Sequence, residues 1–218
     1  MDINEIGLHL SNQWMKSGIV QGDLVLVHSS AKPLMIKIQE EFELKITPLE
    51  IFQSLQLAVG SSGTLIFPLF NFTAWPQNKK FDIRSTPSEM WGLSELSRNH
   101  PDSIRTGHPI YSFSIIGAKS DLFKNIDNVS GYCQDSVFAL LKNFNGKIAI
   151  IGLPDQTSMT SYHYVEEANN VHYRYFKNFI GTYIDAQGNE LEKTYKLFVR
   201  NLDIGVHKYK PFLRTSIR

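Results

Sequence analysis

A chain of 218 residues has the size of one domain, or of one domain with an excursion. Apolar residues make up 42%, which is enough for a sizeable core and excludes global disorder; 22 basic against 21 acidic residues give no support to a nucleic-acid or polybasic membrane role. The single cysteine, Cys133, excludes an internal disulfide and a cysteine-rich zinc site, and it fits a reducing cytoplasm.

Ile3, Ile6, Leu10 and Trp14 recur at helical spacing and Gly18 follows as a stop, so residues 3–18 read as an amphipathic helix. This segment lacks the basic start and apolar centre of a signal peptide, and no run approaches the roughly 18 apolar residues of a membrane span. LVLVH (24–28) is a buried strand, with HSSAKP (28–33) as a loop at its carboxyl end. Thr47-Pro48-Leu49-Glu50 has the grammar of a capping box with proline at the first helical position, and Gly60 is placed to end that helix. TLIFP (64–68) is a second strand. Residues 71–85 carry aromatics and proline without a period and read as a long surface loop. Thr86-Pro87-Ser88-Glu89 repeats the capping pattern and predicts a helix to about Arg98. YSFSIIG (111–117) is a third strand, 135–143 a short helix, KIAIIG (147–152) a fourth strand, and SYHYVEEANN opens another helix. After Val171, YRYFKNFIGTYID and ELEKTYKLFVRNL read as two strands around the turn AQGN. The expected fold is α/β, in a single domain over 1–218: a central, mostly parallel sheet flanked by helices, with an antiparallel β appendage over about 172–205.

Three segments could carry chemistry. In SYHYVEE, His163 and Glu166 are three residues apart and share a helix face. The carboxylate would orient one imidazole nitrogen and leave the other to take a proton, after the carboxyl end of a buried strand, where open α/β sheets place ligands. An ordinary surface pair and half a metal site are the other readings; the second histidine of HExxH is missing. In HSSAK, two small hydroxyl residues, Ser29 and Ser30, let a ligand approach the backbone, although a plain polar turn has the same composition. In IRTGHPIYSFSIIG, His108 and Ser112 stand near a strand entrance; a His108 that ties down the loop through hydrogen bonds is the other reading. There is no P-loop and no GxSxG elbow, and Cys133 reads as a packed small residue.

GDLVLVHSS, GTLIFPLFNFT, FDIRSTPSEMWGLSE, RTGHPIYSFSIIG and IIGLPDQTSMTSYHYVEEA, in that order, resemble the aminoglycoside 3-N-acetyltransferase family over roughly residues 3–205. RYFKNFIGTYID and LFVRNLD are similar to members with a general sugar-acylating role. The resemblance implies an acyl-coenzyme A-dependent transfer to an amino group of a sugar-like acceptor. It implies His163 and Glu166 as the catalytic pair, and Ser29, Ser30, His108 and Ser112 on the coenzyme side. Asp82 and Glu95 are the expected acceptor-binding carboxylates, since a polycationic aminoglycoside favours acidic groups. A nucleotide-linked amino sugar would instead favour Lys79, Lys80 or Arg84. The expected partners are acyl-CoA and a small amino sugar, with no metal, nucleic acid or membrane; oligomer formation stays open. Family members generally continue beyond the HKYKPFLRTSIR ending of this chain, so a shortened relative that binds coenzyme A without turnover is the alternative.

Overall fold

The computed structural model describes residues 2–204; the HKYKPFLRTSIR ending lies outside the described residues. Helix α1 (Ile3–Lys16) is opened by a capping box in which Asp2 accepts from the Asn4 and Glu5 amides and Glu5 accepts from the Asp2 amide. Strand β1 (Leu24–Ser29) leads into α2 (Ala31–Phe42), and α3 (Pro48–Val59) starts at the Thr47–Glu50 box and stops at Gly60. Then follow β2 (Thr64–Pro68), β3 (Lys80–Asp82), α4 (Leu93–Arg98), β4 (Ile104–Arg105) and β5 (Phe113–Gly117). The chain continues through α5 (Val137–Asn143), β6 (Lys147–Ile151), α6 (Asp155–Ser158) and α7 (Tyr162–Ala168) to the long strands β7 (Arg174–Ile184) and β8 (Glu190–Arg200).

Five strands form the central sheet in the order β4-β5-β2-β1-β6. Strand β1 pairs in parallel with β2 and β6, and β5 runs antiparallel to β2 and β4. Four strands therefore share one direction and β5 alone opposes them. Alternation along β1 sends Val25 and Val27 to one face, against Ile6, Leu10, Ile51 and Leu55, and Leu24 and Leu26 to the other, against Phe113, Phe123 and Phe138. Burial on both faces is why this strand is a continuous apolar run.

A second sheet, β3-β7-β8, carries its own core of Trp75, Phe81, Ile110, Tyr183, Tyr195 and Leu197. Strands β7 and β8 pair antiparallel along their whole length, from Arg174↔Arg200 to Ile184↔Glu190, while β3 pairs in parallel with β7. The expected appendage is present, but it recruits a strand from the middle of the chain.

Three local expectations change. The HSSAKP loop ends at Ser30, and Pro33 sits inside the first turn of α2, where its missing N–H has no intrahelical acceptor to lose. The 71–85 segment is not a surface loop: Trp75 and Phe81 are fully buried, and the Trp75 indole donates to the Phe179 carbonyl at 3.2 Å. The helix expected from Thr86 begins only at Leu93, because its capping groups are used elsewhere. Thr86 Oγ1 accepts from the Asp82 amide, and the Glu89 carboxylate accepts from the Phe72 and Thr73 amides. Trp91 and Gly92 then hold φ of 51° and 48°, a left-handed turn that delays the helix.

Candidate active site

The carboxyl ends of β1 and β6 meet at one point. The Ser30 amide donates to the Ile151 carbonyl at 2.8 Å. Gly152 follows with φ +64°, and a Cβ there would lie 2.5 Å from the Ser30 carbonyl oxygen, so only glycine lets the two strand exits pass this closely. Beyond it, the Tyr162, His163 and Tyr164 amides donate to the Met159, Thr160 and Ser161 carbonyls, which turns the chain into α7. Ser161 takes no part as a cap through its side chain. His163 thus stands in the first turn, its ring centroid 5.2 Å from that of Tyr132.

Glu166 follows one turn later, with Oε2 2.6 Å from Nδ1 of His163. At that distance an unprotonated nitrogen would set its lone pair against those of the carboxylate, so the proton belongs on Nδ1 and the free lone pair on Nε2. The Tyr173 hydroxyl donates to Oε1 of Glu166 at 3.0 Å. Burial pushes the His163 imidazole below its ordinary value; the hydrogen bond to Glu166 opposes this, and the charges of Arg174 and Arg200 add to it. Burial works to raise the Glu166 carboxyl, but the His163 bond and the Arg174 charge hold it below its usual range. A neutral base beside an ionised carboxylate is the protonation state that general-base chemistry needs.

His163 lines a cleft of about 650 Å³ together with His28, Ser29, Ser30 and Lys32 from the β1–α2 junction and with Phe70, Phe72, Glu89 and Trp91 from the middle of the chain. A larger concavity of about 840 Å³ lies by the Gly60–Gly63 and Gly117 turns, at the amino end of β2, and holds neither member of the pair. The cleft at the carboxyl ends of the parallel strands is the one that His163 lines, in the place where open α/β sheets hold ligands.

Of the expected site residues, the structure brings Ser29, Ser30 and His163 to this cleft, with Glu166 behind His163. It does not bring His108, Ser112, Asp82 or Glu95 there. His108 is fully enclosed: its Nδ1 accepts from the Ile110 and Tyr111 amides at 3.3 and 3.0 Å, and its ring abuts Tyr195. Ser112 is equally buried, donates to the Leu69 carbonyl and accepts from Arg105. Asp82 is forked to Arg84, and Glu95 holds Arg98 and the Ser88 amide. These side chains staple the middle of the chain, and both carboxylates already have cations. The cleft lining also includes Glu89 and His28, which were not among the expected site residues. Glu89 brings a carboxylate to the lining. His28 is 5% exposed, is held neutral by burial with its value down to about 4, and has no partner for Nε2. A polar residue ending an otherwise apolar strand was the available signal for His28.

Among the described residues, no group of three or more His, Cys, Asp or Glu side chains could hold a metal ion, and no helix is long and apolar enough to cross a membrane. The aminoglycoside 3-N-acetyltransferase family model matches residues 26–214. The aminoglycoside N(3)-acetyltransferase IV of Salmonella sp. is 22% identical over 154 residues, 69% of this chain and 55% of that protein, so the match spans little more than half of the curated relative's length. Among solved structures, AAC-VIa bound to sisomicin superposes with a TM-score of 0.75 at 20% identity, covering 88% of this chain and 75% of that one. AAC-IIIb in a binary complex with CoASH gives 0.74 at 21% identity, with 88% and 75% covered. At such identities the superpositions speak for the fold, and they agree with a family match that runs across most of the sequence. The chain belongs to the aminoglycoside 3-N-acetyltransferase family.

Proposed function

We propose that this protein transfers an acetyl or related acyl group from acyl-coenzyme A to an amino group of an amino sugar or aminoglycoside, by direct attack, with His163 as general base. The observation that carries this reading is the 2.6 Å His163–Glu166 pair, in a cleft at the carboxyl ends of β1 and β6. The neutral amine is the nucleophile, since a protonated amine has no lone pair to attack with. His163 Nε2 takes the amine proton as the N–C bond forms and the C–S bond of the thioester breaks; the coenzyme thiolate leaves. Glu166 holds the ring and offsets the positive charge that it gains. Such base catalysis contributes roughly 10²–10⁴-fold. No protein nucleophile is required, in keeping with Cys133, whose thiol burial and the Asp135 carboxylate push up to about 11.

Residues of the β1–α2 junction suit the coenzyme side. The Ser30 side chain makes no capping bond to α2, and the first-turn amides of a helix have no intrahelical acceptors, so Ser29, Ser30 and the start of α2 offer donors to acyl or phosphate oxygens. Glu89, with the aromatic rings of Phe72 and Trp91 in the same cleft, suits a cationic acceptor. The sisomicin and CoASH complexes of the structural relatives support both substrate classes. An acyl-CoA donor agrees with a cytoplasmic setting, and in this reading the α/β body and its β appendage act as one domain.

Thiol release from acetyl-CoA, followed across a panel of amino sugars and aminoglycosides, tests the reading. The expected result is acceptor-dependent release that the His163→Asn variant loses. Measurable coenzyme A binding without release, whatever the acceptor, would overturn it in favour of a binding protein.

A further inference from the structure

Arg174, the first residue of β7, has a side chain only 8% exposed and touches both members of the His163–Glu166 pair. Its Nη1 donates to the Phe198 carbonyl on β8 at 2.9 Å, which anchors the guanidinium to the appendage. Its Nε lies 2.8 Å from Glu166 Oε2 but out of line for a hydrogen bond, so that contact is ionic. Its Nη2 lies 3.0 Å from His163 Nδ1. Because Nδ1 already carries the proton shared with Glu166, Nη2 stands there as a neighbouring cation. Arg174 does not line the cleft; it stands behind the pair.

These contacts have two consequences. Glu166 is gripped on both oxygens, by Tyr173 on Oε1 and by Arg174 on Oε2, so its carboxylate cannot rotate away from the imidazole. A carboxylate at 2.6 Å also favours the imidazolium; burial opposes it most and the Arg174 charge adds to that opposition, and a histidine already protonated at neutral pH accepts no proton. We propose that Arg174 is a positioning residue for the base: it clamps Glu166 to the appendage and sets a fixed positive charge beside Nδ1 of His163, so that the ring stays neutral until the amine gives up its proton. This rests on His163 being the base. The charged and titratable groups that face the ring are Glu166 of α7, Arg174 of β7 and Arg200 of β8; the Tyr132 ring packs against it from the segment before α5.

The test is an NMR titration of the His163 imidazole in the full chain, its signal assigned by its loss in His163→Asn. Arg174→Met removes the cation and should move the His163 midpoint to higher pH. Arg174→Gln should do the same; it keeps an amide that can donate to the Phe198 carbonyl and serves if the methionine variant fails to fold. Arg174→Lys keeps the charge without the planar fork. Its midpoint should stay near the wild-type value, while kcat at the alkaline plateau falls about tenfold or more with KM unchanged. A His163 midpoint that does not rise in the neutral variants overturns the proposal, even if turnover falls. The titration is read without substrate, so it decides the role of Arg174 independently of whether the protein proves to be an acyltransferase.

Discussion

His108 gives a quantitative handle on the interior. Its ring is fully enclosed, and burial depresses its value from 6.5 to about 3. The folded state therefore refuses a proton that the unfolded chain accepts. That contribution to stability is complete above pH 6.5 and is lost as pH falls toward 3. It amounts to about 5 kcal/mol in all, of which about 2 kcal/mol is gone by pH 5. His28, depressed to about 4 by burial, acts with the same sign over the same upper part of the range. Each histidine steepens the pH dependence of stability by about 1 kcal/mol per pH unit, averaged between 6.5 and 5. Glu167, whose carboxyl burial raises, works in the opposite direction, and comparison with a variant cancels its effect. His108→Asn is the informative substitution: the amide oxygen can take over the Ile110 and Tyr111 amides from Nδ1 but cannot titrate. Urea unfolding at pH 7.5, 6.5 and 5 should show the variant losing about 1 kcal/mol per pH unit less than wild type across the lower interval. Parallel stability curves for the two proteins would refute the argument, whatever the variant costs at neutral pH.

Three further outcomes follow from the site. His163→Asn should lower kcat by about 10²–10⁴-fold with acyl-CoA affinity retained, measured by steady-state thiol release and calorimetry. Glu166→Gln should cost less, since an amide oxygen can still accept from Nδ1–H; equal rates in wild type and both variants would remove the pair from the chemistry. Gly152→Ala forces a side chain into a left-handed backbone, with its Cβ 2.5 Å from the Ser30 carbonyl oxygen. It should destabilise the fold by about 1 kcal/mol or more and, by displacing the Ser29–Ser30 turn, raise KM for acyl-CoA more than it lowers kcat.

Much of the architecture was legible because its determinants are local. The apolar runs of β1 and β2 and the Thr47–Glu50 box specify their own elements through neighbours a few residues away. The same capping grammar failed at Thr86 because Thr86 and Glu89 bond backward, to Asp82 and to the 72–73 amides, which no local pattern reveals. The position of Trp75 and Phe81 was illegible for a related reason: their partners, Tyr183 and Tyr195, lie a hundred residues on. At the site, the His163–Glu166 spacing could be read directly, since three residues apart on a helix means the same face. Arg174 could not, because it reaches the pair from a strand whose direction only the β7–β8 pairing sets. The expected roles of Asp82 and Glu95 overlooked arginines two and three residues further on, which were visible in the sequence and which the structure shows paired to them.

The recruitment of β3 by β7 also governs how this molecule can be built. Lys80 pairs with Thr182, and the Trp75 indole bonds a carbonyl 104 residues further along. During synthesis the large rings of Trp75 and Phe81 have no finished core to enter until Tyr183 and Tyr195 have left the ribosome. Contacts of such long sequence separation form late and leave sticky surface waiting in the meantime. The event that closes this small core also brings Arg174 and the Phe198 carbonyl to the back of α7. Docking of the late hairpin onto the early body is then also the step that sets the Arg174 cation against the His163–Glu166 pair.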